Sequence, residues 1–389
     1  MTDGDALNAA RRGRWAVAAL FFVNGFAIGS WAAQVPSYIR QLGVTEATFG
    51  LIVLCLGAGG IVAMSCAGFL MSRLGSRPVA LSFGAAAVFT LPLAVSMTNP
   101  AAGAVALVVM GAMLGGMDVA MNANAVTVER RLRRPVMSST HGFWSLGGAS
   151  GGAAGGFAIE MLGPMAHALL VGAVMAAVLA AAWPRVAGDD RPAPAQGPRR
   201  FVLPAAPTIY LIGLIGMICI LPEAMMRLWG ALFMQQQLHA DLGVAGLAFA
   251  LFAGAMAVTR FGGDGVRRRY GAVATMRGSC LLAGAGLIVA AVSPHIAITL
   301  LSFAVAGIGT ANLTPIAFSA GGNHEGMASS TGMAVVGTLT YVGVLLAPCA
   351  SGLIAEAYGL TPVFVATAGL VLLVGVFSSV LSRADFKRA

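Results

Sequence analysis

Charge is what this chain has least of. Asp, Glu, Lys and Arg together make up 10% of its 389 residues, too few to clothe the surface of a soluble domain, and the soluble globular classes are excluded. Cysteine is sparse as well. Cys55, Cys66, Cys219, Cys280 and Cys349 all sit in apolar runs, with no CxxC and no His or carboxylate at ligand spacing, so neither a disulfide framework nor a metal site is expected. No Gly-Lys-Ser/Thr closes a glycine-rich run, which removes the phosphate loop. No nucleophile, base and orienting group recur at helical spacing, so the chain is not read as an enzyme and no cofactor is implied. Basic residues outnumber acidic ones, 23 to 14, yet no aromatic-interleaved basic surface accompanies them, and nucleic acid is not the expected partner. Positive charge kept in the cytoplasmic loops of a membrane protein gives the same surplus.

What is abundant is apolar sequence: 58% of the residues are hydrophobic, with a mean hydropathy of +0.86. Apolar segments fall at about 15–38, 46–71, 78–97, 101–127, 137–162, 166–183, 207–234, 243–262, 272–293, 295–319, 327–354 and 361–382, each near the length that crosses a bilayer. The stretch RRGRWAVAALFFVNGFAIGSW is too long an apolar run for a signal peptide and more spans follow at once, so it reads as an uncleaved first helix. Alternate connections hold Arg11, Arg12 and Arg14; Arg73 and Arg77; Arg130, Arg131, Arg133 and Arg134; Arg185, Arg191, Arg199 and Arg200; Arg267, Arg268 and Arg269; and Arg383, Lys387 and Arg388. The opposite connections offer Arg40 and little else. Both termini are therefore expected on the cytoplasmic side of the membrane.

The one long polar, Pro-rich interval is PRVAGDDRPAPAQGPRRFVLPAAP. It divides the chain into a six-helix bundle at 1–184, a cytoplasmic linker at 185–206 and a second six-helix bundle at 207–389. The halves resemble each other: Arg73-Leu74-Gly75 matches Arg269-Tyr270-Gly271, Ser139-Thr140-His141-Gly142 is set beside Ser329-Ser330-Thr331-Gly332, and Gly147 beside Gly337. Weak internal repetition of this kind marks transporters whose substrate site lies between two related bundles near the midplane.

Within Gly115–Gly156 a basic elbow joins two apolar segments that carry Asp118, Asn122 and His141. On a helix, Asp118 and Asn122 share a face. A carboxyl at that depth must face a cavity, find a partner or take up a proton; it is either a polar tie between spans or a protonation site. His141 is a proton relay or an interhelical donor, and Trp144 stacks on a ligand or packs. Glu223 and Arg227 lie i,i+4 after Pro222. They form either a self-compensating pair or a substrate wall on which Arg227 clamps an anionic or hydroxyl-rich solute while Glu223 exchanges partners. Asn24, Trp31 and Gln34 in the first span and Asn312 in the tenth are further candidates for lining the cavity. In the fifth span Gly147, Gly151, Gly155 and Gly148, Gly152, Gly156 form two rows spaced for close helix approach.

Twelve spans in two similar halves, a central linker, and GFLMSRLGSR at Gly68 to Arg77 together resemble the major facilitator superfamily over essentially the whole chain. Gly68, Arg73, Gly75 and Arg77 match that family's loop after the second span. Ser72 stands where the family has Asp, so Glu129 is the candidate substitute in a cytoplasmic gate with Arg73, Arg77 and Asp264. Within the family, GMDVAMN followed by ERRLRRPVMSSTHGFWSLGG looks like the fucose-permease side, and most like the bacterial YbjJ-like branch. By that resemblance Asp118 falls on the fourth-span carboxylate implicated in proton coupling and Asn122 on the nearby Asn, while Ala32, four residues before Pro36, replaces the first-span acid. The resemblance implies an all-α membrane protein of twelve helices. It would be a monomeric secondary transporter in contact with membrane lipid, moving a small polar, sugar-like solute by proton-coupled symport and alternating access. Asp118, His141 and Glu223 would carry coupling, and Asn24, Trp31, Gln34, Asn122, Trp144, Arg227 and Asn312 would line the cavity. Proton-antiport efflux of amphipathic compounds is the rival reading, and a non-transporting membrane receptor or scaffold is the reading from another class.

Overall fold

The computed structural model describes residues 3–132, 136–188, 204, 206–325, 327 and 329–384; of these, the side chains of 3–10, 138, 263–265, 268, 329–330 and 383–384 lie outside the description. The described chain is helical throughout. In order the helices are α1 (Asp3–Leu42), α2 (Glu46–Leu74), α3 (Ser76–Ala87), α4 (Thr90–Ser96), α5 (Pro100–Leu132), α6 (Met137–Leu162), α7 (Pro164–Ala182), α8 (Pro207–Cys219), α9 (Leu221–Leu238), α10 (Leu242–Val292), α11 (Ile296–Thr310), α12 (Leu313–Gly322), α13 (Ser329–Tyr358) and α14 (Leu360–Phe377). Spans three, seven and ten are each broken in two, at α3/α4, α8/α9 and α11/α12. The long α10 holds spans eight and nine, joined at Gly271 with φ 81° and ψ 167°. A helix satisfies its backbone groups within one segment, as lipid requires, and breaks persist where neighbouring helices cover them.

Among the described residues, eleven segments are long and apolar enough to cross a membrane. The twelfth, α6, has the length, 26 residues, but its glycines, serines, His141 and Glu160 dilute its hydropathy. It is less a lipid-facing span than a joint, and its two glycine rows serve different neighbours. A Cβ on Gly147 would strike the Phe22 carbonyl, and one on Gly151 the Phe26 carbonyl, both on α1. Gly152 and Gly156 instead face Gly246, Ala250 and the start of α10. One row closes the first six spans on themselves and the other closes them on the last six.

The repeat is visible in the backbone. Gly75 (φ 86°) and Gly271 (φ 81°) make the same turn, as do Gly163 (φ 84°) and Gly359 (φ 82°), left-handed positions that glycine adopts without a Cβ clash. The two pairs have the same spacing along the chain, and the packing keeps it. Gly50 meets the carbonyl of Pro348 and Gly246 that of Gly152; Gly352 meets Glu46 and Gly156 meets Leu242; Gly111 meets Leu56 and Gly307 meets Phe252. This register corrects the pairing of Ser139–Gly142 with Ser329–Gly332 and of Gly147 with Gly337. The counterpart of Gly152 is Pro348 and that of Gly156 is Gly352. A glycine- and serine-rich helix matches itself at several offsets, and only the contacts select one.

At the end of the molecule where α1 passes into α2, the first and last six spans are tied together. Arg40 Nη1 donates to Gln235 Oε1 at 3.0 Å and Gln236 Nε2 to Glu46 Oε1 at 2.7 Å. Two further bonds are counterparts under the repeat: the Gly243 N–H donates to Glu160 Oε2 at 2.8 Å, and the Ala47 N–H to Glu356 Oε2 at 3.2 Å. Each carboxylate, near the end of α6 or α13, caps the first turn of a helix in the opposite half, where unpaired N–H groups favour an anion. Beneath them Trp31, Tyr38, Phe49 and Trp229 pack edge to face, Phe49 and Trp229 at 5.8 Å.

Candidate functional site

Polar groups stand on α5 and α6 in the first half and on α9, α10 and α13 in the second. Asp118 and Asn122 sit one turn apart on α5; Asn122 Nδ2 donates to the Asp118 carbonyl at 2.9 Å and reaches its Oδ1 at 3.4 Å. Both side chains are partly accessible. Among the described residues no cation pairs with Asp118, and Tyr341 of α13 lies within its electrostatic reach.

The opposite wall begins at the break in span seven. α8 stops at Cys219, Pro222 occupies the start of α9 where its missing N–H is harmless, and Glu223 falls in the first turn, where the helix dipole favours an anion. Glu223 is 6% exposed. Its Oε1 lies 3.8 Å from Arg227 Nη1 and its Oε2 3.4 Å from Arg260 Nη2. Arg260 Nη1 donates to Ser145 Oγ of α6 at 2.8 Å, which joins the two halves across the site. His141, one turn before Ser145, stands within electrostatic reach of Arg260 and packs edge-on against Phe21 at 5.1 Å.

Two polar groups thus emerge, Asp118 and Asn122 with Tyr341 nearby, and Glu223 and Arg227 with Arg260, Ser145 and His141; Arg260, Ser145 and Tyr341 are additions that sequence reasoning missed. Arg260 ends an apolar span four residues before Asp264 and just ahead of Arg267–Arg269, and reads as part of a cytoplasmic basic cluster. Its long side chain instead runs inward. Ser145 and Tyr341 carry no signal that separates them from the many other polar residues of the spans.

Other expected cavity residues are engaged elsewhere. Buried Asn24 accepts from Trp144 Nε1 at 2.9 Å and donates to the Leu114 carbonyl at 3.1 Å, fastening α1, α5 and α6. Trp31 is buried in the aromatic cluster. Gln34 Nε2 donates to the Pro164 carbonyl at 2.8 Å and lies 2.9 Å from Nδ1 of buried His167 on α7; that histidine, one polar residue in an apolar run, was also missed. Asn312 is partly accessible at the α11/α12 break.

The residues expected to form the gate make other contacts among the described residues. Glu129 Oε2 accepts the Val136 and Met137 N–H groups at 2.8 and 3.2 Å, capping an α6 whose own N-cap residue, Val136, supplies no side-chain bond. Arg73 lies over the Phe69 ring at 4.3 Å, Arg77 reaches the Trp183 carbonyl at 3.4 Å, and the Asp264 side chain is outside the described residues. Among the described residues no group of three His, Cys, Asp or Glu is placed to hold a metal ion.

Comparison with known proteins covers nearly the whole chain. A family model described as Major Facilitator Superfamily matches residues 16–320 and 212–388. An uncharacterized MFS-type transporter of Yersinia pestis is 34% identical over 365 residues, 93% of this chain and 94% of the relative. An uncharacterized transporter of Sinorhizobium fredii is 30% identical over 94% of this chain and 97% of its own length. Among solved structures, a mutant of the nucleoside transporter NupG superposes with a TM-score of 0.78 at 14% identity, covering 95% of this chain and 99% of that one, a likeness of fold.

Proposed function

The chain belongs to the Major Facilitator Superfamily, and from that membership we propose that it moves a small polar solute across the bacterial inner membrane by proton-coupled symport. Residues 1–184 and 207–389 act as two bundles that rock about the mid-depth site, with 185–206 as the cytoplasmic linker. The arginine-rich end is cytoplasmic, so the tied end faces outward. The observation that carries the reading is Asp118: a partly accessible carboxyl deep in α5, hydrogen-bonded to Asn122 and unpaired with any described cation, opposite Tyr341 of the other bundle. An ionised carboxyl cannot be closed into a dry interior without large cost. Proton uptake removes that charge before the bundles close over it, and release follows when the site reopens. The pairing of Asp118 with Asn122 also supports kinship with the fucose-permease branch.

A thermal-shift panel of sugars, sugar acids, nucleosides and amphipathic drugs at two pH values identifies a solute that binds. Proteoliposomes then test coupling. Asp118→Asn is expected to keep solute counterflow and lose accumulation driven by a pH gradient; full gradient-driven accumulation by this variant sinks the coupling role.

A further inference from the structure

The charges of the second wall do not balance. One buried carboxylate, Glu223, is shared by two guanidinium groups: it accepts a long hydrogen bond from Arg260 Nη2 at 3.4 Å, while Arg227 stands at 3.8 Å, beyond hydrogen-bond length. Arg260 places one further N–H on the Ser145 hydroxyl, a neutral acceptor. The other carboxyl of the cavity, Asp118, has Asn122 and Tyr341 about it rather than either arginine. His141, the remaining titratable group facing Arg260, adds no negative charge in either protonation state. Two guanidinium groups thus share one described carboxylate, and both stay partly exposed, the Arg227 side chain at 23% and that of Arg260 at 16%. Intramembrane cations are stabilised by pairing, and a desolvated cation without a partner is strongly unfavourable. An arginine fork also matches an oxyanion in a bidentate geometry that a hydroxyl cannot supply.

We propose that the transported solute carries an oxyanion group, a carboxylate or a phosphate, which docks between Arg227 and Arg260 beside Ser145 and shares them with Glu223. The proposal rests on the reading of this cavity as the transport site. Glu223 then competes with the solute: it holds the two arginines when the site is empty and loosens as the anion enters, so that binding exchanges one partner for another.

The test uses the purified full-length protein and thermal shift against gluconate and glycerol phosphate, with glucose and glycerol as neutral counterparts and choline as the cation. The two anions are expected to stabilise the protein and the other three to leave it unchanged, and the ratio of gluconate to glycerol phosphate affinity reports which oxyanion fits. Arg227→Gln and Arg260→Gln should each weaken apparent anion affinity at least tenfold, with the Lys variants intermediate. Glu223→Gln, which removes the competitor, should tighten it. Arg185→Gln, on the periphery, serves as the control. Because an arginine variant can fail to fold, the Glu223→Gln gain is read independently; a purely structural network predicts lower stability and no gain. Absence of stabilisation by either anion, equal stabilisation by the neutral counterparts, or undiminished affinity in well-folded Arg260→Gln overturns the proposal. Anions that bind but show neither counterflow nor accumulation in proteoliposomes would leave the anion site standing and remove the transport reading. Neutral sugars that bind and move while anions do neither would do the reverse.

Discussion

The paired caps at the outer end make a quantitative prediction. Glu160 on α6 accepts the Gly243 N–H at 2.8 Å, and Glu356 on α13 accepts the Ala47 N–H at 3.2 Å. Both contacts cross between the bundles, so both are lost if that end opens, and neither supports the fold of one bundle alone. A charge-assisted bond at a helix N-terminus contributes roughly 1 kcal/mol in partly buried surroundings, and roughly half that when longer and exposed. Glu160→Ala should thus shift the balance toward the outward-open state about fivefold and Glu356→Ala about twofold, each 1.4 kcal/mol being tenfold. The two contacts lie on different helix pairs, α6 with α10 and α13 with α2, so the effects should combine to about tenfold within the usual additivity error. The readout is pulsed-EPR distances between labels at Gln41 and His239 in nanodiscs, in a background with native cysteines replaced by serine. A longer-distance population should grow in the order Glu356→Ala, Glu160→Ala, double variant. An unchanged distribution in the double variant would refute the idea that these bonds hold the outer end shut.

Other expectations follow from single positions. A Cβ on Gly246 would lie 2.7 Å from the Gly152 carbonyl, a backbone atom that cannot swing aside; Gly246→Ala should cost about 1–3 kcal/mol of overpacking in the outward-closed state only and lengthen the same EPR distance. Gly278→Ala, with nothing within 4 Å, is the control and should raise the melting temperature slightly through helix propensity alone, with no distance change. Glu129→Ala strips two N–H groups at the start of α6 of their acceptor and should destabilise by about 1–3 kcal/mol in a thermal melt. Asn24→Leu leaves the Trp144 N–H without its acceptor and should lower stability by a similar amount without altering solute selectivity; a selectivity change at unaltered stability would restore Asn24 to the cavity wall.

Much of the architecture was legible because hydrophobic length, arginine bias and glycine spacing are local properties. Twelve segments near bilayer length and the Arg73-Leu74-Gly75 and Arg269-Tyr270-Gly271 repeat needed no knowledge of packing. The two glycine rows of α6 announced close contacts, though their sequence does not say which row meets which neighbour. The site was legible where one helix displays it, as with Asp118 and Asn122, or Glu223 and Arg227. It was not legible where a side chain acts far from its own Cα, as Arg260 does, or where a polar group is consumed by packing, as Asn24, Gln34 and Trp144 are. Glu129 has the charge for a gate, but the uncapped start of α6 lies nearer to it than any arginine the gate requires.

At the spacing that relates Gly75 to Gly271, Glu223 falls opposite Ala27, Arg227 opposite Trp31, Arg260 opposite Met64 and Asp118 opposite Thr314. The outer caps, by contrast, were kept in both copies. The caps thus recur in both halves, whereas Asp118 stands in the first half alone and Glu223, Arg227 and Arg260 in the second alone. A twofold frame therefore carries side chains that lack twofold partners, and the proposed oxyanion site would give a bound solute a single orientation.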